Sequence, residues 1–328
     1  MEQRNDQWTP IKLPSYNTAH HKRDGFCNVP GDPQPPEFRL MVNPIKLQLE
    51  KDVTQSLEVV NPIFPGNEGV RVWWIGHATT LIQIGIKYII TDPVFSSYAS
   101  PIPGIVSRVT RTPCTIDDLP PIAVILISHC HWDHLDLSSI KAITAKNPAC
   151  KVFVPLKVSS YLKKQPIVEF DWRTKLDVYD ATFTCLPAWH GTARYGFDSN
   201  KSLWCSWLIE YENISIYFPG DTAIGPHFAE IRQLTNRDID LFLAPIGPQN
   251  PVEMMRSIHL DGHEAKWAAD VLGAKAVVPI HYGTFPLGLT VEHPDEVLIQ
   301  ESFVDESDRL FVIPVGGCVM WDGVKFVA

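Results

Sequence analysis

The chain has 328 residues, 45% of them hydrophobic, and a formal net charge of −9. Such a length can bury a large core in one big domain or two ordinary ones. The acidic balance speaks against a nucleic-acid binder, which needs a basic face, and gives no general attraction to an anionic membrane surface.

Seven cysteines (Cys27, Cys114, Cys130, Cys150, Cys185, Cys205 and Cys318) are odd in number, scattered, and contain no C-x-x-C pair. That pattern points to reduced thiols in the cytoplasm rather than a disulfide framework. The opening MEQRNDQWTP carries neither the basic nor the apolar region of a secretory signal. No uncharged apolar run approaches the ~20 residues of a membrane span. The expectation is a soluble cytoplasmic protein, at most peripheral to a membrane.

Residues 1–68 are polar and proline-rich, as in NVPGDPQPPEF, and read as an extension packed on a domain that occupies 69–328. From Val70 the character changes: VRVWWIG, TTLIQIG and KYIITDP read as strands, with Gly85 near a hairpin turn. IAVILIS (122–128) is a short apolar strand buried on both faces. A helix is predicted from Leu137 to Ala145, then a strand at KVFVP, and further strands around 182–188, 203–210 and 214–219. FAEIRQL (228–234) suits a helix and LFLAPIG (241–247) a strand. DGHEAKWAADVLGA is the clearest helix, with Asp261 as N-cap, Glu264 closing a capping box and Gly273 as the stop. KAVVPIH is a further strand. Strand clusters interrupted by helices indicate a layered α/β fold, sheets inside and helices outside.

SHCHWDHLD (128–136) packs three histidines and two aspartates behind the apolar PPIAVILI. In extended chain His129, His131 and Asp133 share one face, and a following turn can swing His134 to the same side. Imidazole and carboxylate are the ligand set of zinc and similar divalent ions, and four such groups can serve two ions. A lone histidine at a strand end is most often structural. Four converging donors without a metal would lose solvation for no return. Further donors follow apolar strands beside glycines: His190 in CLPAWHG, Asp221 in IYFPGDT and His281 in VVPIHYG.

H-x-H-x-D-H, then His, a strand-end Asp and His, resembles the metallo-β-lactamase-fold hydrolases. The resemblance implies an αββα sandwich with two metal ions at one edge of the sheets. His129, His131 and His190 would hold one ion; Asp133, His134 and His281 would hold the other; Asp221 would bridge them. Zinc is the foremost candidate, although the same donors take iron or manganese. His77, in WIGHATT, and Asp136 would support the ligands from behind, with a satisfied core histidine the plain alternative for His77.

WIGHATT, TDPVFSSYASP, RTPCTIDDLPPIAVILISHCHWDHLD, NKSLWCSW, FPGDT and PIHYGTF are similar to the N-acylphosphatidylethanolamine-hydrolysing phospholipase D group over roughly residues 70–290. Tyr98, Ala123 and the Gly262-His263 pair depart from that group's pattern. The resemblance implies cleavage of the phosphodiester by water activated at the metal pair. Asp221, Asp133 and His259 would act in catalysis, with His259 contacting the phosphate or protonating the leaving group. Lys201 and Arg194 would orient the lipid headgroup. Ile105, Met254 and Phe285, with Ile102, Met255, Leu287 and Leu289, would line an apolar entrance for the phospholipid, although such segments equally suit core packing or a homodimer interface. A sugar-phosphate lactonase of the same fold is the enzymatic alternative, and a non-catalytic binding module the alternative from another class.

Overall fold

The computed structural model describes residues 11–12, 19–28, 56–163, 165–250, 252–288 and 295–328. Its early strands are β1 (Ile11–Lys12), β2 (His21–Lys22), β3 (Gly25–Phe26), β4 (Gly69–Gly76), β5 (Thr79–Gly85) and β6 (Lys87–Thr91). After β7 (Ile122–Leu126) comes helix α1 (Leu137–Lys146), then β8 (Lys151–Pro155), β9 (Ile167–Phe170), β10 (Lys175–Val178) and β11 (Ala181–Leu186). The second half holds β12 (Ser206–Tyr211), β13 (Ile214–Phe218), α2 (His227–Thr235), β14 (Leu241–Pro245), the short α3 (Val252–Met255), α4 (Gly262–Leu272) and β15 (Val277–Ile280). α5 (Asp295–Ser302), β16 (Cys318–Trp321) and β17 (Phe326–Val327) close the chain.

Two sheets form the body. One runs β1-β9-β8-β7-β6-β5-β4-β16-β17 and the other β10-β11-β12-β13-β14-β15. The apolar strands of the first sheet are buried on both sides, so successive residues enter different cores. Val72, Trp74, Val124 and Leu126 pack with Phe183, Trp207, Ile216 and Phe218 of the second sheet in the layer between them. Trp73, Ile75, Ile125 and Ile127 face the other way and pack with Ile140 and Ile143 of α1. On the far side, Phe228 and Ile231 of α2 and Ala265, Ala268 and Leu272 of α4 cover the second sheet. The layers are therefore helix, sheet, sheet, helix: the expected αββα sandwich.

Local chemistry accounts for the helix ends. Asp261 accepts from the Glu264 N–H while the Glu264 side chain accepts from the Asp261 N–H, and Gly273 closes α4 at φ 62°. Several predicted boundaries shift, as where the strands expected to reach 188 and 247 end at Leu186 and Pro245. β7 stops at Leu126 rather than 128, because Ser128 N–H turns away to Asp92 Oδ1 at 2.7 Å. β12 starts at Ser206 rather than 203. Strands β9 and β10, helix α5 and the β16–β17 hairpin had no predicted counterpart. β16 finds its partner in β4, with Cys318 opposite Trp73, a pairing across most of the chain that no local pattern announces. Among the described residues, no helix is long and apolar enough to cross a membrane.

The rim bearing the metal motif depends on one close approach. Gly220 adopts φ +61°, and a Cβ there would lie 2.4 Å from Ser128 Cβ. Gly220→Ala is expected to lose at least about 1 kcal/mol from the left-handed conformation alone, with the contact adding to it. Urea unfolding would read this as a lower midpoint, and an unchanged midpoint would contradict the packing.

Candidate metal centre

β4, β6 and β7 run in one direction through the first sheet, and β11, β13, β14 and β15 share a direction in the second. The loops after these strands meet at one rim of the sandwich. His77 follows β4, Asp92 follows β6, and SHCHWDH follows β7. His190, Asp221 and His281 come from the loops after β11, β13 and β15. Three of these residues leave their strands with positive φ: His77 at 53°, Asp92 at 31° and His281 at 67°.

Simple alternation through residue 133 does not describe the motif. The chain turns at 131–134, where the N–H groups of His134 and Leu135 both donate to His131 O, at 3.2 and 2.8 Å. The turn sorts the donors into two groups: His129, His131, His190 and Asp221 in one, and His77, Asp133, His134 and His281 in the other. In the first, His129 Nε2 lies 2.8 Å from His131 Nδ1, and His190 Nε2 lies 3.3 Å from the same atom. In the second, His134 Nε2 is 3.0 Å from His281 Nε2 and 3.3 Å from Asp133 Oδ2. Asp221 lies between the groups. Its Oδ2 is 3.7 Å from both His129 and His190 and 3.1 Å from His134, while Oδ1 is 2.9 Å from His281.

This donor set fits a pair of divalent ions. Imidazole nitrogens face one another at hydrogen-bond distance, while the carboxylate oxygens crowd the same space. His259 Nδ1 is buried without a hydrogen-bond partner 3.8 Å from Asp221 Oδ2. Nitrogen and carboxylate ligands of this kind suit zinc, iron and manganese. The centre is thus a binuclear metal-binding site of the type found in metallo-β-lactamase-fold hydrolases.

Burial dominates the electrostatics. It pushes the imidazoles of His77, His190 and His259 down to about 3 and that of His131 to about 4, so all four are neutral and able to ligate at pH 7. For Asp133 and Asp221 burial acts to raise the pKa, but the neighbouring histidines, His134 foremost, more than reverse it and hold both well below the usual carboxylate range. His281 is raised to about 9: burial opposes the charge, and Asp221 and Asp133 outweigh it.

His77 lies against the second donor group as the sequence reading expected of a supporting residue, with Nε2 2.9 Å from Asp133 Oδ2 and its ring 3.9 Å from that of His281, and its own nitrogen is close enough to count among the metal-capable atoms there. Asp136 corrects the other expectation. Its oxygens accept from Ser138 N–H, the Ser138 and Ser139 hydroxyls and Ser96 N–H, which makes it the N-cap of α1 and leaves it no bond to the donors. Asp92, which the sequence reading missed, supports the centre: Oδ2 lies 2.7 Å from His134 Nδ1 and takes the Ser128 hydroxyl at 2.5 Å. A lone acid just past the strand KYIIT was its only signal. Backbone carbonyls perform the same service elsewhere, Ile258 O for His190 Nδ1 at 3.0 Å and Gly247 O for His281 Nδ1 at 2.7 Å.

Arg194 also departs from its predicted role. It is buried, donates to Cys130 O at 2.8 Å and stacks 3.9 Å over the Trp132 ring, so its charge braces the metal-bearing turn. Lys201 is exposed and lines a separate surface cavity of about 790 Å³ with Arg23, Lys157 and Glu169. Neither residue is placed to orient a headgroup at the donors. Phe285 is buried in a small cluster with Val94 and Ala99, its ring edge-on to His77 at 5.3 Å. Ile105 is half-buried, Ile102 is 58% exposed and Met255 is buried. Met254 falls within α3, and its side chain, like all of Leu289, lies outside the described residues.

Residues 87–282 match the family model for the beta-lactamase superfamily domain. The chain is 35% identical over 268 residues to a Caenorhabditis elegans protein named N-acyl-phosphatidylethanolamine-hydrolyzing phospholipase D 1, a match covering 74% of this chain and 73% of that one. It is 29% identical over 294 residues to the Saccharomyces cerevisiae mitochondrial protein of the same activity name, covering 85% of this chain and 58% of the yeast one. Among solved structures, the metallo hydrolase Igni18 of Ignicoccus hospitalis superposes with a TM-score of 0.59 at 19% identity, covering 77% of this chain and 98% of that one, and shares the fold.

Two outcomes follow from the geometry. Asp92→Asn replaces the carboxylate behind His134 with an amide and is expected to weaken divalent-metal affinity by about 10- to 100-fold, read by competition with a chromophoric chelator. An affinity equal to that of the unaltered chain would remove Asp92 from the centre. In the metal-free chain His281 holds its proton up to about pH 9, so an entering ion must displace it. Metal uptake should therefore release protons, and apparent affinity should rise with pH from about 6.5 towards 9. Calorimetry in buffers of different ionisation enthalpy checks this. The stability His281 lends the metal-free fold is full below 6.5 and is lost as pH rises through about 9.

Proposed function

The chain belongs to the metallo-β-lactamase superfamily, and from that premise we propose that it is a metal-dependent phosphodiesterase that cleaves N-acylphosphatidylethanolamine to an N-acylethanolamine and phosphatidic acid. Metal-dependent hydrolysis is the superfamily's chemistry. The choice of substrate rests on one observation above the others, the 35% identity over most of the chain to a relative named for this activity. A second feature agrees with it. The cluster of Phe285, Val94 and Ala99 puts buried apolar side chains against His77, with half-buried Val106 and Leu287 packed on it, and Ile102 of the same loop as Val106 is exposed. A substrate held in a bilayer would bring this rim into peripheral contact with lipid.

Two divalent ions in such a site supply Lewis acidity towards phosphoryl oxygens and ionise water near neutral pH. The chain's residues supply the geometry. Asp221, ionised and in reach of both donor groups, fixes their separation and orients the attacking water towards phosphorus. Asp133 holds His77 and His134 against its own carboxylate. His259, neutral and beside Asp221, is positioned to contact a phosphoryl oxygen or the departing ethanolamide oxygen. The water oxygen bonds to phosphorus as the P–O bond to the ethanolamide oxygen breaks, and that oxygen takes up the proton the water gives up.

The test is turnover of N-acylphosphatidylethanolamine in mixed micelles by zinc-loaded protein, with products read by mass spectrometry. Phosphatidic acid and the ethanolamide are expected from the unaltered chain. Asp221→Asn should lower the rate by about 100-fold or more, the upper end of what loss of a metal-centre contact costs, while circular dichroism shows a folded protein. Bound metal with no lipid cleavage would reject the phospholipid assignment and leave a hydrolase of some soluble metabolite. Unchanged turnover in the variant would reject the role of Asp221.

A further inference from the structure

A second cluster of metal-capable side chains lies away from the rim. His20, His21 and Asp171 place one donor atom each within 4.8 Å of the others. Adjacent residues of a strand point to opposite faces, but His20 sits in the turn before β2, so its ring and that of His21 converge on one carboxylate. His20 Nε2 is 2.7 Å from Asp171 Oδ1, and His21 Nε2 is 2.8 Å from Oδ2. The rings are 4.5 Å apart at 65°, close to His129 and His131 in the main centre, which are 4.5 Å apart at 83°.

The surroundings are built to hold this arrangement. His20 and Asp171 are each 1% exposed, whereas the His21 side chain is 23% exposed and leaves one side open to solvent. The Trp172 ring stacks on His20 at 4.2 Å, and the Trp172 backbone N–H donates to Asp171 Oδ1 at 2.9 Å, so one residue holds both the ring and the carboxylate. Arg173, two residues beyond Asp171, is paired with Glu230. Two imidazoles and one carboxylate with a free approach match the three-ligand zinc sites that keep a further position open.

We propose that His20, His21 and Asp171 form a site for a divalent transition-metal ion, of the zinc type, separate from the binuclear centre. The ion ties the N-terminal segment 19–28 to the end of β9. That segment in turn supports the main centre, because Asn28 Nδ2 donates to His190 O at 3.0 Å and Phe26 N–H donates to Asn200 O at 2.9 Å. The site therefore acts as a clamp on the loop that carries His190.

The test counts zinc per chain by inductively coupled plasma mass spectrometry on the full-length protein after loading with zinc and desalting. His21→Gln keeps a hydrogen-bond donor facing Asp171 but removes the ligating nitrogen; His21→Cys removes that donor but offers a thiolate. His21→Gln should bind one ion fewer than the unaltered chain, and His21→Cys should keep it. Asp171→Asn, equal in shape, should show the same loss and serves if His21→Gln does not fold. Equal counts in the unaltered chain and these variants would overturn the proposal and leave a hydrogen-bonded clasp. Asp221→Asn separates the two sites: it acts on the main centre's count and leaves the difference made by His21→Gln in place.

Discussion

Asp133 and Asp221 carry two negative charges into a rim where almost no water reaches, and the centre is arranged around that fact. A buried carboxylate without compensation would take up a proton. Here His134 and His281 offset both carboxylates, while the buried imidazoles of His77, His131, His190 and His259 stay neutral. Divalent ions replace those protons as the compensating charge. The same balance that keeps the metal-free chain folded thus prepares it for metal.

The two sheets make this concentration of polar groups affordable in a fold that is otherwise densely apolar. Donors arrive only after their strands have ended, so the core between the sheets holds Trp74, Phe183, Trp207 and Phe218 without interruption. The turns cost something. His77, Asp92 and His281 all take positive φ, a conformation worth roughly 1–3 kcal/mol of strain each for residues other than glycine. They are held there by bonds on both sides, as where His281 N–H donates to His77 O at 3.0 Å and His77 N–H donates to Thr284 Oγ1 at 2.9 Å.

Residues that surround the donors divide by what their polar atoms touch. Asp92 and Asp136 are both acids near the motif, yet one bonds to His134 and the other caps α1. Arg194 looked in the sequence like a free cation for an anionic headgroup, but its guanidinium is spent on Cys130 O and the Trp132 face.

The sequence alone determined the strands of both sheets that end at the rim, the α4 helix with its capping box, and the seven donors that the tertiary structure brings together. These were legible because their signals are local: apolar runs with turn residues, a cap three residues from its partner, and an H-x-H-x-D-H cluster that has little other physical use. The division of the donors that the family resemblance implied acquires its physical cause only in the tertiary structure, where the turn at 131–134 sends Asp133 away from His129 and His131. The tertiary structure alone revealed Asp92 behind His134, and drew Asp136 and Arg194 out of the roles the sequence suggested. The pairing of β16 with β4 and the meeting of His20 and His21 with Asp171 were equally hidden. Each depends on residues far apart in the chain, and a contact of that kind leaves no period or spacing for a sequence to display.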